Sequence, residues 1–456
     1  MAINQRRSFL GKMAAASAVP FIPSFLKPEA NLDWIAAYKQ SARFAPKSPI
    51  LRPAHAHSSA TAQQLGDFNA NSDVISDETF WYQVKNMYTA SPGLINLNNG
   101  GVSPQPTIVQ EAFERYNRMC NEAPSYYMWR ILDQGREPLR QRLAELAGTS
   151  AEELAVCRNA SEALETIIFG LRLKKGDKVV VSKLDYPNMM NAWKQREHRD
   201  GIILKWVELD LPRMTNNEIV AAYAEQITSD VKVVHITHMI NWNGHIVPSK
   251  RIADLAHAVG AVTVVDGAHS FAHIQYNIPD LGADYFGTSL HKWLCAPFGS
   301  GLLYVNKEKI AMLYPLLASP DPESPDIRKF ESLGTRSFAI EQAIGQAIDF
   351  YYAIGGQIKQ ERLQYLKMYW TNAVKDTPRI RINTDTDPER SCAICVVNMD
   401  GRTSGELGEA LHNQYKIHTT TIEYENVHGV RVTPHIYTVK DDLDRLIKGL
   451  KTLATT

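Results

Sequence analysis

The chain has 456 residues, which is more than one average domain, so we expect two domains. Its 49 basic and 49 acidic residues cancel, and the apolar fraction of 44% and charged fraction of 21% are ordinary for a soluble globular protein. The sequence has no basic tail, no interleaving of basic and aromatic residues and no zinc-ligand spacing, which argues against a nucleic-acid partner.

The N-terminus has the pattern of an export signal. Arg6 and Arg7 precede a modest apolar stretch, which is typical of a twin-arginine signal peptide. The stretch is too short for a transmembrane helix, and Pro20 and Pro23 interrupt it. We therefore expect residues 1–30 to engage the twin-arginine export machinery, giving an exported or periplasmic protein with no permanent membrane anchor. The alternative is a disordered basic start.

Residues 31–78 are weakly patterned, and we interpret them as a lead or linker. His55 and His57 within it could bind a metal, but a surface linker is the favoured interpretation, and we predict no metal site. A firmer pattern follows, from which we expect a large domain over 79–325 and a small C-terminal domain over 326–456.

Strand-like and helical stretches alternate through the centre of the chain. The strand-like runs are Leu154–Cys157, Lys178–Ser182, Ile202–Val207, Val231–Thr237, Val262–Asp266, Tyr285–Ser289 and Gly301–Val305. The helical stretches between them are Glu162–Leu173, Asn191–Arg199, Asn217–Ile227 and Lys250–Val259. Seven such runs predict an α/β fold with a seven-stranded, mainly parallel sheet covered on both faces. The glycines at 299 and 301 would allow the last strand to be antiparallel.

The pattern changes after a proline-rich break at 319–326. One long helix is expected from Ala339 to about Val374, and an amphipathic helix closes the chain. Strands are expected at Arg379–Ile382, Cys392–Asn398 and Gly429–Thr433. This part therefore reads as a smaller α+β domain.

The five cysteines do not form a disulfide framework for a chain of this size. Cys392 and Cys395 have the C-x-x-C spacing but lie in an apolar strand-like run. Positions three apart on a strand point to opposite faces, so we expect both side chains to pack rather than to bind a metal.

Two polar residues stand where strand-like runs end. Asp266 closes one apolar run, and Lys292 follows the run Tyr285–Ser289. Ligands of open α/β sheets bind at the carboxyl ends of strands. Pyridoxal 5'-phosphate (PLP) needs a lysine amine for a Schiff base and an anion that keeps its ring nitrogen protonated. The pair therefore predicts a PLP cofactor, with His269 near its phenolic oxygen or near the substrate.

Other segments at strand ends suit the rest of such a cofactor. Asn159 or Ser161 can cap a helix whose free N–H groups would bind a phosphate, although a simple N-cap is the plainer interpretation. Ser289 could reach the same phosphate, and Tyr186, beside a proline, could stack on a flat ring. Arg431 lies in a short strand-like run and could clamp a substrate carboxylate.

These residues lie in segments that resemble a known family. The chain is similar to the class V aminotransferase group of fold-type I PLP enzymes, which includes cysteine desulfurases and isopenicillin N epimerase. The resemblance covers about 80–456. It is carried by I-N-L-N-N-G-G-V-S-P-Q-P (95–106), N-A-S-E-A-L-E (159–165), V-V-D-G-A-H (264–269), S-L-H-K-W (289–293) and L-G-T (333–335).

The resemblance implies a role for each matching position. Lys292 would be the Schiff-base lysine, Asp266 the partner of the ring nitrogen and Tyr186 the ring-stacking residue. The phosphate side would be formed by Ala160, Ser161, Ser289 and His291, and the substrate side by Asn98, Asn99 and Arg431, with 79–105 lining the site. Gly334 and Thr335 match a pair that reaches the phosphate of the neighbouring subunit, which implies a homodimer with shared active sites.

One departure from the family bears on the reaction. Desulfurases carry a reactive cysteine shortly before the carboxylate-binding arginine, and residues 418–430 contain none. Persulfide chemistry is therefore not expected. The D-G-A-H and N-L-N-N-G-G segments are closer to the epimerase-like branch, which is similar to exported enzymes that modify the glutamyl end of siderophore peptides and to C–S lyases that act on sulfoxides.

The sequence leaves the reaction open. The favoured function is a PLP enzyme acting at the α-carbon of an amino acid or peptidyl amine, as an aminotransferase or epimerase. The alternatives are a C–S lyase acting on an S-substituted cysteine or sulfoxide, and a non-catalytic PLP fold kept for binding. An intact lysine–aspartate pair favours the active enzyme.

Overall fold

The computed structural model describes residues 72–456. The proposed signal at 1–30 and most of the lead at 31–78 lie outside the described residues. The described part belongs to one compact unit, and the boundary that the sequence places at 325–326 lies within it. In this part of the chain, no helix combines the length and the apolar character needed to cross a bilayer.

The described residues contain thirteen strands and twelve α-helices. The strands are β1 Ile95–Asn96, β2 Leu154–Cys157, β3 Lys178–Ser182, β4 Ile203–Val207, β5 Val231–Thr237, β6 Val262–Asp266, β7 Tyr285–Ser289, β8 Gly301–Val305, β9 Ile380–Ile382, β10 Cys395–Met399, β11 Ile417–His418, β12 Thr420–Tyr424 and β13 Val427–Val432. The helices are α1 Glu78–Lys85, α2 Thr107–Glu122, α3 Pro124–Tyr126, α4 Arg136–Ala147, α5 Ala160–Gly170, α6 Pro187–Asp200, α7 Asn216–Gln226, α8 Ser249–Ala258, α9 Phe338–Ile354, α10 Gly356–Val374, α11 Ser404–Tyr415 and α12 Lys440–Ala454.

The central sheet has seven strands in the order β2-β8-β7-β6-β5-β3-β4. β8 runs antiparallel to both neighbours, and the remaining pairs are parallel. The predicted α/β fold with a mainly parallel sheet is therefore confirmed. Every residue of β2 and of β5 to β8 is buried except Lys232 and the half-buried Val262, as expected for strands covered on both faces.

The parallel pairing brings the functional segments to one edge of this sheet. Asp266, the last residue of β6, is paired with Thr237 at the end of β5 and with Gly287 near the end of β7. Lys292 lies three residues after the end of β7. The carboxyl ends of neighbouring parallel strands meet at one edge, so these residues converge although they are distant in sequence.

Buried apolar side chains fix helices α5 and α6 against the central sheet. Leu164, Ile167 and Trp193 pack in one cluster with Val233 and Val264 of the sheet. Each of these side chains is fully shielded or nearly so, and full burial of a large aliphatic side chain contributes about 1.5–3 kcal/mol. The amino end of α5 is thereby held beside β7.

A second, four-stranded antiparallel sheet has the order β12-β13-β10-β9. Its Val430 and Val432 pack on leucines of α10, α11 and α12, so the intervening Arg431 points to the opposite face. β1 pairs in parallel with β11, which ties residues 95–99 to this sheet beside Thr433.

Several predicted elements need correction. The long helix expected over 339–374 is broken at Gly355, which has φ 89° and separates α9 from α10. A Cβ at Gly356 would lie 2.3 Å from the Tyr351 hydroxyl, so the glycine there allows close packing. The strand expected over 392–398 begins only at Cys395, and β12 was not predicted because its T-T-I-E-Y pattern is largely polar.

Candidate active site

The amine of Lys292 and the imidazole of His269 form the centre of the site. Lys292 Nζ lies 3.1 Å from His269 Nε2 and 6.0 Å from the centroid of the Tyr186 ring. His269 lies in the turn that follows β6, and Lys292 in the turn that follows β7. The two turns therefore place a nitrogen base next to the amine.

The surroundings lower the pKa of both groups. Burial, with a smaller contribution from Arg431, lowers the pKa of Lys292 to about 8, against the opposing effect of Asp266. Burial and the nearby Lys292 and Arg431 hold the pKa of His269 well below its ordinary value. His269 is therefore neutral at physiological pH, and an appreciable fraction of Lys292 is the nucleophilic free amine.

Asp266, the last residue of β6, has only 3% of its surface exposed. Its Oδ1 accepts a hydrogen bond of 2.8 Å from the Ala268 N–H, and no salt bridge to it is found among residues 72–456. Burial raises its pKa above the ordinary value for aspartate. A buried carboxylate of this kind is stabilised by a cationic ring nitrogen beside it.

The glycine of the D-G-A-H segment has a packing reason. A Cβ at Gly267 would lie 1.9 Å from the ring of Phe286, which belongs to β7. Glycine therefore lets the turn after Asp266 approach β7 closely, and this brings His269 towards Lys292.

The start of α5 presents a free N–H group beside a serine hydroxyl. Asn159 Oδ1 accepts a 2.9 Å bond from Glu162 N–H, and Ser289 Oγ accepts a 2.8 Å bond from Ala160 N–H. Among the described residues, no acceptor is found for the Ser161 N–H. A free N–H at the positive end of a helix, next to a serine hydroxyl, suits a phosphate.

His291 and Tyr186 lie at the margins of the site. His291 Nδ1 lies 3.1 Å from the Ser300 carbonyl oxygen, which leaves the other ring nitrogen available. Tyr186 precedes α6 and is 39% exposed, so its ring can receive a planar group from the side of Lys292.

Sequence reasoning missed Asp185, the residue before Tyr186. Its carboxylate accepts 2.7 Å bonds from the Ser182 N–H and the Thr237 hydroxyl, which fixes the turn that carries Tyr186. Burial raises its pKa to about 7. The sequence could have indicated Asp185, because it is an acidic residue just beyond the carboxyl end of a predicted strand.

Arg431 brings a buried guanidinium close to Lys292 and His269. It is 6% exposed; Nη1 donates a 2.7 Å bond to the Asn241 carbonyl, and Nη2 donates a 3.2 Å bond to Asn98 Oδ1. No acidic side chain pairs with it within residues 72–456, and its Nε is buried without a partner. Burial lowers its pKa to about 10. An unpaired buried cation of this kind is suited to an anionic ligand.

Asn98 and Asn99, which were both predicted on the substrate side, make different contacts. Asn98 contacts Arg431, and its Nδ2 lies 3.4 Å from His418 Nε2. Asn99 is fully buried, and its side chain bonds to Asn96, Thr433 and Tyr437. Asn99 therefore holds the segment in place, while Asn98 faces the guanidinium. Asn241 was missed because it acts through its main-chain carbonyl, which carries no sequence signal.

Gly334 and Thr335 are not brought to Lys292 by contacts within this chain. Both are exposed, and a Cβ at Gly334, whose φ is +67°, would meet open space. Buried ion pairs anchor both sides of this loop: Glu331 accepts bonds from Arg140 and from the Val156 N–H, and Arg336 pairs with Glu341. The loop is thus held outward on a rigid base.

These features match the needs of PLP. Lys292 would hold the cofactor through its amine, Asp266 would face the ring nitrogen, and the start of α5 would bind the phosphate. The buried Nδ1 of His269 and Oδ1 of Asn241 have no partner among the described residues and remain available to a ligand.

The chain also matches a known family. Residues 95–446 match the model described as aminotransferase class-V. The chain belongs to the aminotransferase class-V family. It is therefore a PLP-dependent enzyme.

Other members of the family and a solved structure resemble the chain over most of its length. Isopenicillin N epimerase from Streptomyces clavuligerus is 25% identical over 390 residues, covering 82% of this chain and 98% of the relative. A probable cysteine desulfurase from Halalkalibacterium halodurans is 26% identical, with coverages of 78% and 92%. The structure of apo cysteine desulfurase from Thermococcus onnurineus NA1 superposes with a TM-score of 0.72 at 20% identity, covering 82% and 98%.

This class-V enzyme has no counterpart of the reactive cysteine of desulfurases among the residues that precede Arg431. All five cysteines are free and buried. Before Arg431, β12 and β13 form a hairpin whose turn is only Glu425 and Asn426, so no long loop stands there. Burial raises the pKa of each cysteine, including Cys295 near the site.

Proposed function

We propose that this enzyme acts at the α-carbon of an amino acid or of a peptidyl amine, as an epimerase or aminotransferase. The observation that carries the proposal is the buried Arg431, which has no acidic partner and lies close enough to influence the pKa of both Lys292 and His269. A ligand with a carboxylate at Arg431 and an amine at Lys292 is an α-amino acid or a molecule that ends in one.

The residues divide the work between orientation and proton transfer. When bound, PLP withdraws electrons from the bonds of the α-carbon. Asp266 keeps the ring nitrogen protonated, and Arg431 with Asn98 orients the carboxylate. Lys292 Nζ moves the α-proton, and His269 Nε2 at 3.1 Å exchanges a proton with that amine.

The alternative reactions would use the same residues but would release sulfur from the substrate. A C–S lyase would expel sulfur from an S-substituted cysteine or sulfoxide and needs no protein thiol, so the absent cysteine does not oppose it. A persulfide route does need an accessible thiolate, and the five buried thiols with raised pKa values oppose that route.

The test is a product analysis by mass spectrometry with purified enzyme and three substrate sets. These are free amino acids, peptides with an N-terminal glutamyl residue and S-substituted cysteine sulfoxides. Loss of nitrogen or inversion of configuration, absent in Lys292→Ala, supports the proposal. Release of pyruvate would replace it with the lyase, and no turnover of any set by PLP-loaded protein would indicate a binding protein.

We further propose a homodimer in which Gly334 and Thr335 contact the phosphate bound by the partner. Their loop is exposed but firmly anchored, which suits a contact with a second chain. Exposed aromatic side chains lie nearby: Trp129 packs edge-on against Phe338, and Phe298 precedes Gly299, which faces Ile340. Exposed apolar surface of this kind is typical of protein interfaces.

Export through the twin-arginine machinery is the remaining proposal. It is supported by Arg6 and Arg7 ahead of the apolar stretch and by the need of a PLP enzyme to load its cofactor before leaving the cytoplasm. A periplasmic or exported location follows from it.

A further inference from the structure

Three buried rings stack next to residues of the candidate active site in sequence. The rings of His273 and Trp293 are 3.5 Å apart at an angle of 14°, and those of Trp293 and His435 are 5.5 Å apart at 18°. All three side chains are at most 1% exposed. Trp293 therefore stacks with both imidazoles.

Each ring belongs to a segment that carries a functional side chain. His273 lies four residues after His269, Trp293 directly follows Lys292, and His435 lies four residues after Arg431. The stack thus joins the turns after β6 and β7 of the central sheet to the segment after β13 of the small sheet. It is a contact shared by all three segments.

The ring of His273 is locked by hydrogen bonds at both nitrogens. Its Nδ1 lies 2.7 Å from the carbonyl oxygen of His269, and its Nε2 accepts a 3.1 Å bond from the N–H of Ala393. A carbonyl oxygen only accepts and an N–H only donates, so the proton must be on Nδ1 and the ring is neutral. Burial lowers the pKa of His273 to about 3, in agreement with this.

Trp293 is held differently. Its indole N–H is buried without a partner among the described residues, so stacking rather than a polar bond orients the ring. Its main-chain carbonyl accepts a hydrogen bond from the buried amine of Lys359 on α10. Stacking with the two imidazoles and the bond from Lys359 therefore contribute to the position of Trp293, and with it to that of Lys292.

His435 closes the other side. Its Nε2 lies 3.4 Å from the Sγ of Cys295, and its main-chain N–H donates a 2.9 Å bond to the Thr438 hydroxyl. Burial, with Lys359 and His273 nearby, keeps the pKa of His435 well below its ordinary value, so this ring is also neutral.

We propose that the His273–Trp293–His435 stack is a positioning device that sets the relative placement of His269, Lys292 and Arg431, a role that rests on the function proposed above. None of the three rings takes part in the chemistry. Their effect is geometric: displacement of Trp293 moves the amine relative to both the imidazole and the guanidinium. Misplacement of reacting groups by about 1 Å costs about 10²-fold in rate.

The test compares Trp293→Phe, which keeps an aromatic ring, with Trp293→Leu, which does not. Trp370→Leu is the matched control, because Trp370 is fully buried in the small-sheet core and its indole N–H also lacks a partner among the described residues. Three quantities are measured on PLP-loaded enzyme: the melting temperature, the pH midpoint of the visible absorption of the lysine-bound cofactor, and the Kd of succinate as an unreactive carboxylate probe.

We expect Trp293→Leu to shift the pH midpoint, to weaken succinate binding and to lower kcat about 10²-fold. Trp293→Phe should remain close to wild type, and Trp370→Leu should lower the melting temperature while leaving the midpoint and Kd unchanged. The proposal is overturned if Trp293→Leu and Trp370→Leu differ only in melting temperature. If instead Arg431→Leu leaves the Kd of succinate unchanged, the proposed carboxylate site fails and the stack remains testable through the pH midpoint.

A milder set of variants covers the case in which Trp293→Leu does not fold. His273→Gln, His435→Gln and the double variant are compared, with His245→Gln as a buried control whose ring nitrogens have no partner among the described residues. The stack predicts that the effects of the two substitutions on the pH midpoint and on the Kd of succinate are not additive, since both act through Trp293. Additive effects, or effects equal to those of His245→Gln, overturn it.

Discussion

His269 Nε2 lies 3.1 Å from Lys292 Nζ, and this contact joins the turn after β6 to the turn after β7. Burial favours the neutral form of both groups, so the pair holds fewer protons than the same residues would in water. The two nitrogens titrate as a coupled unit, with the amine as the group that is charged first as the pH falls.

Lys292→Met in the cofactor-free protein should change the dependence of stability on pH. The folded-state pKa of Lys292 is about 8, below the ordinary 10.5. The unfolded chain therefore binds more protons than the folded chain between these two pH values. As a result, burial of the charged amine destabilises the wild type below pH 8. The variant should be the more stable protein below pH 8, and its advantage should disappear as the pH rises to 10.5. Urea unfolding on both sides of this window measures the effect, with the exposed Lys232→Met as control; a difference independent of pH would contradict it.

Asp266→Asn should impair catalysis without detaching the cofactor. An amide cannot hold the ring nitrogen protonated, so we expect kcat to fall about 10²–10³-fold, the range typical of a lost electrostatic contact in an active site. The visible absorption of the lysine-bound cofactor should persist. Asp284→Asn, a buried carboxylate just before the amino end of β7, is the control, and a kcat for Asp266→Asn equal to that of this control contradicts the assignment.

Arg431→Lys should act mainly on substrate binding. A lysine lacks the planar pair of donors, and the loss of a charge-assisted hydrogen bond of about 1.5–3 kcal/mol raises KM roughly 10- to 150-fold. Steady-state kinetics measures the split between KM and kcat. Arg381→Lys, an exposed arginine of β9 in the same sheet, should leave both constants unchanged; a fall in kcat with unchanged KM would show that Arg431 does not hold the carboxylate.

Mixing two inactive variants should test the shared site. Lys292→Ala removes the amine, and Thr335→Asp should repel the phosphate of the partner. In a mixed dimer with sites shared between subunits, one site carries both changes and the other carries neither, so activity should return after the subunits are exchanged. Activity assays and sedimentation measure this. Mixing that restores nothing although mixed dimers form would remove Thr335 from the site of the partner.

The double substitution Arg6→Lys and Arg7→Lys should retain the full chain in the cytoplasm with PLP bound. The machinery that reads this signal depends on the two arginines, and neither of them belongs to the proposed PLP site. Fractionation followed by immunoblotting measures the distribution, and Lys12→Arg is the control. Unchanged export would argue against a twin-arginine route.

Much of the central sheet was readable from local pattern. Six of its seven strands have the predicted bounds, and β4 begins one residue later than expected, at Ile203. Runs such as Val179–Val181 are buried on both faces, and this leaves an uninterrupted apolar signal in the sequence. The small sheet was harder, because its edge strand β12 is half exposed and its polar residues carry no such signal.

The amino-acid sequence by itself determined the α/β fold and the positions of Asp266 and Lys292 at strand ends, because a strand and its end are local patterns of a few residues. Only the tertiary structure decided that Asn98 rather than Asn99 faces Arg431, that the Asn241 carbonyl holds that guanidinium, and that His273, Trp293 and His435 stack. These contacts join segments far apart in the chain. They depend on how the two sheets pack together, and the spacing of residues within one segment does not predict that packing.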